Sequence, residues 1–274
     1  MKKIFTTAAL CAAAALALTG CGDDAAKAPA QKAAAAETVI TVGATPVPHA
    51  DILNFIVPEM KKQGVTLKVI EFSDYVKPNM ALADKEIDAN FFQHKPYLDS
   101  FAKERNLQLS SLVSVHIEPM GVYSKKVKDI KSVPENARIA IPNDPTNGGR
   151  ALRVLSDAGL FQLKDGVGVN GTPADIVDNV KKIKILEMEA AVLPRTLDDV
   201  DLAVINSNFA MSVGLNPMKD SLFTESKDSP YANVVAIRTG DNREGLAKLK
   251  TVITSEGVRQ FIIDKYKGSV VPAF

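Results

Sequence analysis

Cysteine is nearly absent from this 274-residue chain, which has only Cys11 and Cys21. Both lie near the start, so no disulfide can staple the remainder. That excludes a small disulfide-dense scaffold and leaves an ordinary apolar core as the source of stability. At 46% hydrophobic residues the chain is long enough for such a core, divided between two lobes. Charge of one sign is also lacking. The formal charge is +1, and without Lys2 and Lys3 the balance is about −1. No basic patch stands out, so no nucleic-acid partner is expected. Long apolar runs are lacking too, apart from Ile4 to Leu18. That run is shorter than the roughly 20 residues of a membrane-spanning helix. Enzyme signatures are missing: there is no G-x-S-x-G elbow and no H-E-x-x-H. The three histidines, His49, His94 and His116, are far apart in sequence. No enzymatic activity, metal or cofactor is expected, although a Ser-His-Asp set assembled in space needs no local signature and stays open.

Lys2 and Lys3 precede the apolar run, and Leu18-Thr19-Gly20-Cys21 closes it, followed by Gly22, Asp23 and Asp24. This is the layout of a secretory signal peptide. Its ending resembles bacterial lipoprotein signals. The resemblance implies cleavage before Cys21, diacylation of the Cys21 thiol and acylation of the new amine. Residues 1–20 are then a signal peptide. The expected location is the cell envelope, with the protein anchored to the lipid bilayer through Cys21 and facing the periplasm or cell exterior. Several acyl chains hold firmly, since each buried methylene adds about 0.8 kcal/mol. Gly22 to Glu37 has no large apolar residue. It cannot build a core, so residues 21–37 read as a flexible tether.

From Thr38 onward, β-type runs alternate with helical stretches. TVITVGAT opens the series. LKVIEF (67–72) and IDANFF (87–92) flank a helix beginning near Pro78. ARIAIP (137–142) precedes a helix around Arg150 to Leu160. KIKILEM (182–188) and VDLAVIN (200–206) enclose a helix around Leu193 to Asp199. NVVAIR (233–238) is a late strand, and Glu244 to Tyr266 reads as a terminal helix. The alternation predicts an α/β fold with parallel-rich sheets and helices on both faces. EIDANFF and DVDLAVIN echo one another, which suggests two lobes built alike. Ligands of open parallel sheets sit at the carboxyl ends of the strands.

Gly166-Val-Gly168-Val-Asn-Gly171 fits G-x-G-x-x-G, but the preceding FQLKD is too short and polar for the strand that a dinucleotide fingerprint needs. It reads as a glycine-rich loop. Phe91-Phe92-Gln93-His94-Lys95-Pro96-Tyr97 puts aromatics at a strand end, with Pro96 suited to a first helical turn. One phenylalanine is expected in the core. Phe92, His94 and Tyr75 are expected to line a cleft for a small amphipathic ligand. In PNDPTNGGR (142–150) a strand ends and a helix opens, capped by Thr146 or Asn147. Arg150 near that start is a candidate grip for a ligand carboxylate. Asn206, Asn208 and Asn233 stand at strand edges, where an amide supplies both donor and acceptor.

DYVKPNMALADKEIDANFFQHKPYLD, IPNDPTNGGRAL, KDGVG, LPRTLDDVDLAVIN and DSPYANVV together resemble the methionine-binding lipoproteins of bacterial ABC importers (MetQ type, NlpA lipoprotein family). The resemblance runs over essentially all of the chain beyond the tether. It implies a two-lobed periplasmic-binding-protein-like fold (type II) with two crossovers, near 118–122 and 229–236. Lobe 1 is then 38–118 plus 236–274, and lobe 2 is 119–235. It implies L-methionine as ligand, and a membrane permease with its ATPase as partners. Tyr75, Phe92 and His94 match the family's side-chain pocket, Asn147 and Arg150 its carboxylate site, and Asn206 and Asn233 its other polar contacts. Tyr97 and Asn208 are further candidates. GATPVPHAD departs from the family pattern in its prolines, and no role follows for His49. D-methionine, a methionine-containing dipeptide, another apolar amino acid, or a surface role in interaction remain as alternatives.

Overall fold

The first strand, β1 (Thr38–Ala44), places Ile40 and Val42 in one core. Helix α1 (Asp51–Lys62) covers it with Ile52, Leu53, Ile56 and Met60, a stripe at helical spacing. Then follow β2 (Val65–Glu71), α2 (Lys77–Ala83), β3 (Ala89–His94), α3 (Lys95–Glu104) and β4 (Leu109–Ile117). A second series contains β5 (Gly121–Tyr123), β6 (Arg138–Pro142), α4 (Pro145–Asp157), β7 (Gln162–Leu163), β8 (Ile176–Val177), β9 (Lys184–Met188), β10 (Leu202–Ile205), α5 (Ser207–Ser212) and β11 (Phe223–Thr224). The chain then returns through β12 (Ala232–Arg238), α6 (Glu244–Ile253), α7 (Glu256–Tyr266) and β13 (Val271–Pro272). This computed structural model describes residues 38–226 and 229–274. The signal peptide, Cys21 and the tether at 21–37 lie outside the described residues.

Two main sheets result: a six-stranded one ordered β13-β4-β12-β3-β1-β2 and a five-stranded one ordered β11-β5-β10-β6-β9. Each has a parallel half, with β1 between β2 and β3 and with β6 between β9 and β10. Each continues through antiparallel strands, β12 beyond β3 and β5 beyond β10. Two of five pairings in the first sheet and two of four in the second are parallel, so parallel pairing does not form most of either sheet. β4 carries no apolar run to mark it in sequence, since serines break its pattern.

The echo between EIDANFF and DVDLAVIN has a structural counterpart. The backbone N–H of Thr41 donates to Asp88 Oδ2 at 2.8 Å, and Asp88 N–H donates to Thr41 O at 2.8 Å. Arg138 N–H donates to Asp201 Oδ2 at 2.8 Å, and Asp201 N–H to Arg138 O at 2.9 Å. In both halves an aspartate just before a strand clips it to the central parallel strand.

Alternation covers both faces of each sheet. In β6, Ile139 and Ile141 face one core and Ala140 another. In β3, Phe91 enters the core under α1 and α6, while Phe92 joins Tyr97 and Phe101 on the opposite side. The glycine-rich loop packs against α4: a Cβ on Gly149 would lie 2.3 Å from Val169 O and 2.6 Å from Gly171 N. Gly149 on the helix thus allows the close approach, while in the loop Gly166 supplies a positive φ of +75° and Gly171 packs against Val167.

Three local expectations change. The segment around Leu193 is a 3-10 helix, Ala190–Thr196, because Pro194 denies an α-helix its backbone donor. The stretch 244–266 is two helices, since Ser255 adopts an extended backbone, φ −76° and ψ 158°, where the second begins. Helix α4 is capped by Asp144, whose side chain accepts from Asn147 N–H, rather than by Thr146 or Asn147. Pro145 at its first position sets that start.

Candidate functional site

A small cavity is lined by Tyr75, Phe92, His94, Asn147, Arg150, Asn206 and Asn233. All seven residues singled out in the sequence therefore meet at one place. They come from both sheets. Tyr75 lies between β2 and α2, and Phe92 and His94 end β3. Asn147 and Arg150 lie on α4, Asn206 follows β10, and Asn233 is in β12. Tyr97, Asn208, Gln93, Glu118 and Ser207 complete the lining.

One side is aromatic. The Tyr75 ring centroid lies 5.7 Å from that of Phe92 and 5.8 Å from that of Tyr97. The Tyr75 hydroxyl donates to Asn208 Oδ1 at 2.5 Å, and the Tyr97 hydroxyl to Tyr75 O at 3.0 Å. Burial raises both phenol pKa values, so both remain donors at neutral pH.

The other side is polar and mostly spoken for. His94 Nδ1 accepts from Tyr97 N–H at 3.1 Å, capping α3. Its proton is then on Nε2, which donates to Asn147 Oδ1 at 3.1 Å. Asn206 Nδ2 donates to the same oxygen at 2.7 Å. The Asn147 amide in turn donates to Asp144 Oδ2 at 2.9 Å. Burial, and then the charge of Arg150, hold the His94 pKa down to about 3, so the ring is neutral. Asn206 Oδ1 is buried and has no hydrogen-bond partner among the described residues.

Arg150 is 3% exposed and sits in the second turn of α4, not the first. Its guanidinium stacks 4.3 Å from the Tyr231 ring centroid. Nε donates to both carboxylate oxygens of Glu225 at 3.1 Å. Nη2 donates to Glu225 Oε2 at 2.5 Å and to Glu118 O at 2.7 Å. The bidentate edge expected for a ligand is thus occupied by an internal carboxylate, 75 residues away in sequence. Nη1 carries no hydrogen bond among the described residues.

Glu118 and Asn233 form the back wall, with His49 behind them. His116 Nε2 donates to Glu118 Oε1 at 2.8 Å, and His49 Nε2 lies 3.2 Å from the same oxygen. His49 Nε2 also donates to Asn233 Oδ1 at 3.1 Å, while His49 Nδ1 meets Thr45 Oγ1 at 2.7 Å. Burial holds His49 down to about 4 and His116 down to about 3, and it raises Glu118. The donor atoms of these three residues lie within 4.8 Å of one another, so sequence separation did not keep the histidines apart. His116 gives its ring proton to the carboxylate and His49 gives its own to Asn233, while His116 Nδ1 is buried with no hydrogen-bond partner among the described residues. Glu118 was not among the candidate residues. A signal existed in His116-Ile117-Glu118-Pro119, where two ionisable groups alternate onto one face at a strand end.

A profile described as NlpA lipoprotein matches residues 40–274. The chain is 39% identical over 273 residues to a Vibrio cholerae protein named probable D-methionine-binding lipoprotein MetQ, covering 99% of this chain and 97% of that one. Among solved structures it is similar to a nutrient binding protein from Burkholderia cenocepacia bound to methionine. That likeness has a TM-score of 0.83 at 46% identity and covers 86% of this chain and 100% of that chain. It is also similar to an ABC transporter periplasmic substrate-binding protein from Coxiella burnetii, with a TM-score of 0.81, 42% identity, and 85% and 100% of the two chains covered.

Proposed function

The chain belongs to the NlpA lipoprotein family, and from that premise we propose that it is a lipid-anchored substrate-binding protein that captures methionine in the cavity between its sheets and delivers it to an ABC importer. The observation that carries this reading is the two-sided cavity, aromatic around Tyr75, Phe92 and Tyr97 and polar around Asn147, Arg150, Asn206 and Asn233. A thioether against aromatic rings gains about 0.3–1.5 kcal/mol per contact. The ligand carboxylate would meet Arg150 through Nη1, the edge not engaged by Glu225. The Asn233 oxygen faces His49, which leaves its amide nitrogen for the ligand.

Methionine has about nine non-hydrogen atoms. Micromolar binding needs about 8 kcal/mol, well inside the ceiling of about 1.5 kcal/mol per atom for small ligands. No bond is made or broken in this role, and the protein acts as a carrier. The membrane permease, its ATPase, and the bilayer reached through an acylated Cys21 are the partners in this reading.

Capture would proceed by closure of two lobes, residues 38–118 with 236–274 against residues 119–235, about the connections near 118–122 and 229–236. Two connections run between the sheets, from β4 to β5 and from β11 to β12, which supports two lobes; β12 pairs with β3 and β4 from Ala232 onward, so residues 232–235 go with lobe 1 in this reading. Native mass spectrometry of the protein as purified tests the function. A bound mass equal to methionine supports it, and a protein that ignores both enantiomers of methionine and every other amino acid sinks it.

A further inference from the structure

Glu118 is 5% exposed and lines the cavity, yet no cation faces its carboxylate. Arg150 is the one positive charge in the cavity lining, and Glu225 already takes it at 2.5 Å; its contact with Glu118 is to the backbone oxygen. The groups that do face the carboxylate come from every element around it. His116 comes from β4, His49 from the turn before α1, and the Asn208 backbone from α5. Tyr75 and Tyr266 stand close enough to feel its charge and are themselves held neutral. Arg150 acts on the carboxylate through its charge but donates no hydrogen bond to it, and a buried carboxylate whose hydrogen-bond donors are all neutral is costly, so a cation in contact completes it. The same cavity contains Asn206 Oδ1, a buried acceptor without a donor. Two acceptors, one oxygen of Glu118 and Asn206 Oδ1, thus face the same space.

We propose that Glu118 is the receptor for the α-ammonium group of the ligand, and that His49 and His116 are positioning residues that hold its carboxylate from behind. The proposal rests on the reading of the cavity as an amino-acid site, and it names the feature by which that site demands a free amino group. An ammonium has three donors, which suits one oxygen of Glu118 together with Asn206 Oδ1. Neither His49 nor His116 lines the cavity. His116 spends its Nε2 proton on Glu118 Oε1, while the Nε2 proton of His49 goes to Asn233 Oδ1 with Glu118 Oε1 3.2 Å away, so both rings crowd one carboxylate oxygen and the ligand would meet the other. His49 also bonds Asn233 across 184 residues, so one ring registers Glu118 with the strand that returns between the sheets.

The test is calorimetric titration with L-methionine, D-methionine, 4-(methylthio)butanoic acid and N-acetyl-L-methionine. The wild-type protein should bind the better methionine enantiomer at least thirtyfold more tightly than the acid that lacks the amine, with N-acetylmethionine equally disfavoured. Glu118→Gln should weaken methionine at least tenfold and leave the amine-free acid unchanged, so the preference collapses. His116→Leu should act in the same direction, and His116→Gln, which keeps a donor, should restore most of the preference. Titration of the wild type in two buffers of different ionisation heat should show release of part of a proton at the acid end of the working range, because burial raises the Glu118 pKa and a bound ammonium lowers it. Glu118→Gln should release none. Glu118→Gln retaining the full wild-type preference for the amine overturns the proposal. So does a wild-type protein that binds the amine-free acid as tightly as methionine, a result that needs no variant to fold. A wild type that binds none of the four ligands overturns the methionine reading itself, and the two failures are distinct.

Discussion

His94 donates through Nε2 to Asn147 Oδ1 at 3.1 Å, joining the end of β3 in one sheet to the start of α4 beside the other. Because Asn206 Nδ2 shares that oxygen at 2.7 Å, three strand-to-helix junctions converge on one atom. His94 and Asn206 hold equivalent places, each at the residue between a parallel strand and the helix that follows. The two halves of the chain thus present matching junctions to a common cavity.

Arg150→Ala should lower methionine affinity more than tenfold in calorimetry. It should also lower stability, because Glu225 loses its cation; breaking a buried pair costs about 3–5 kcal/mol. The Glu225 side chain is 13% exposed, so the lower end of that range applies. Unchanged affinity removes Arg150 from the binding site.

Asn233→Ala should weaken binding without unfolding the chain. The substitution removes one hydrogen bond to His49, worth about 1 kcal/mol. Calorimetry and urea denataturation on the same preparation separate the two effects. A loss of folding equal to the loss of binding argues against a ligand contact.

Asn79, Asn90 and Gln93 form a buried amide network under the cavity. Asn90 Nδ2 donates to Asn79 Oδ1 at 2.9 Å and to Pro78 O at 3.1 Å, and Gln93 Nε2 donates to Asn90 Oδ1 at 2.9 Å. Asn90→Ala removes three hydrogen bonds and leaves one buried Gln93 amide proton unpaired, while Gln93 and Asn79 keep their own bond at 2.7 Å, so a loss of about 2–3 kcal/mol is expected. A change below about 1 kcal/mol in urea denaturation contradicts this account.

Stability should fall as pH drops. His49, His94 and His116 are held by burial from the usual 6.5 down to about 4, about 3 and about 3. Below pH 6.5 the unfolded chain takes up protons that the folded chain refuses, so stability is lost from there toward pH 3–4. Each ring contributes up to about 3–5 kcal/mol across that window. Burial moves Glu118 the opposite way, so that its stabilising contribution is present at low pH and lost as pH rises above the usual 4.5, which offsets part of the trend. Urea midpoints measured near pH 7, 5.5 and 4.5 should decline in that order. A midpoint that holds steady or rises counts against buried neutral histidines.

Much of the fold was legible because its signals are local. Apolar runs at 137–142 and 233–238 became β6 and β12 almost residue for residue, and Pro96 marked the first turn of α3. Phe91 and Phe92 had to point apart because neighbours on a strand alternate. What escaped was also physical. In β4, Ser110, Ser111 and Ser114 mask a nine-residue strand, which forms because β12 and β13 supply its hydrogen bonds from far away in sequence. The cap of α4 was readable from Asp144-Pro145, yet the two residues after them drew the attention.

Local chemistry in the chain marked Tyr75, Phe92, His94, Arg150, Asn206 and Asn233 as candidates, since residue type and position at strand ends and helix starts are written in order along it, while Asn147 read locally as a helix cap and joined them through the family resemblance. Which of their polar atoms are already satisfied is not written there. The partners of Arg150 and His49 stand 75 and 184 residues away, and only sheet order brings them within bonding distance. The tertiary structure alone therefore decided that Glu225 holds one edge of Arg150, that two histidines stand behind Glu118, and that Asn206 Oδ1 is left without a donor.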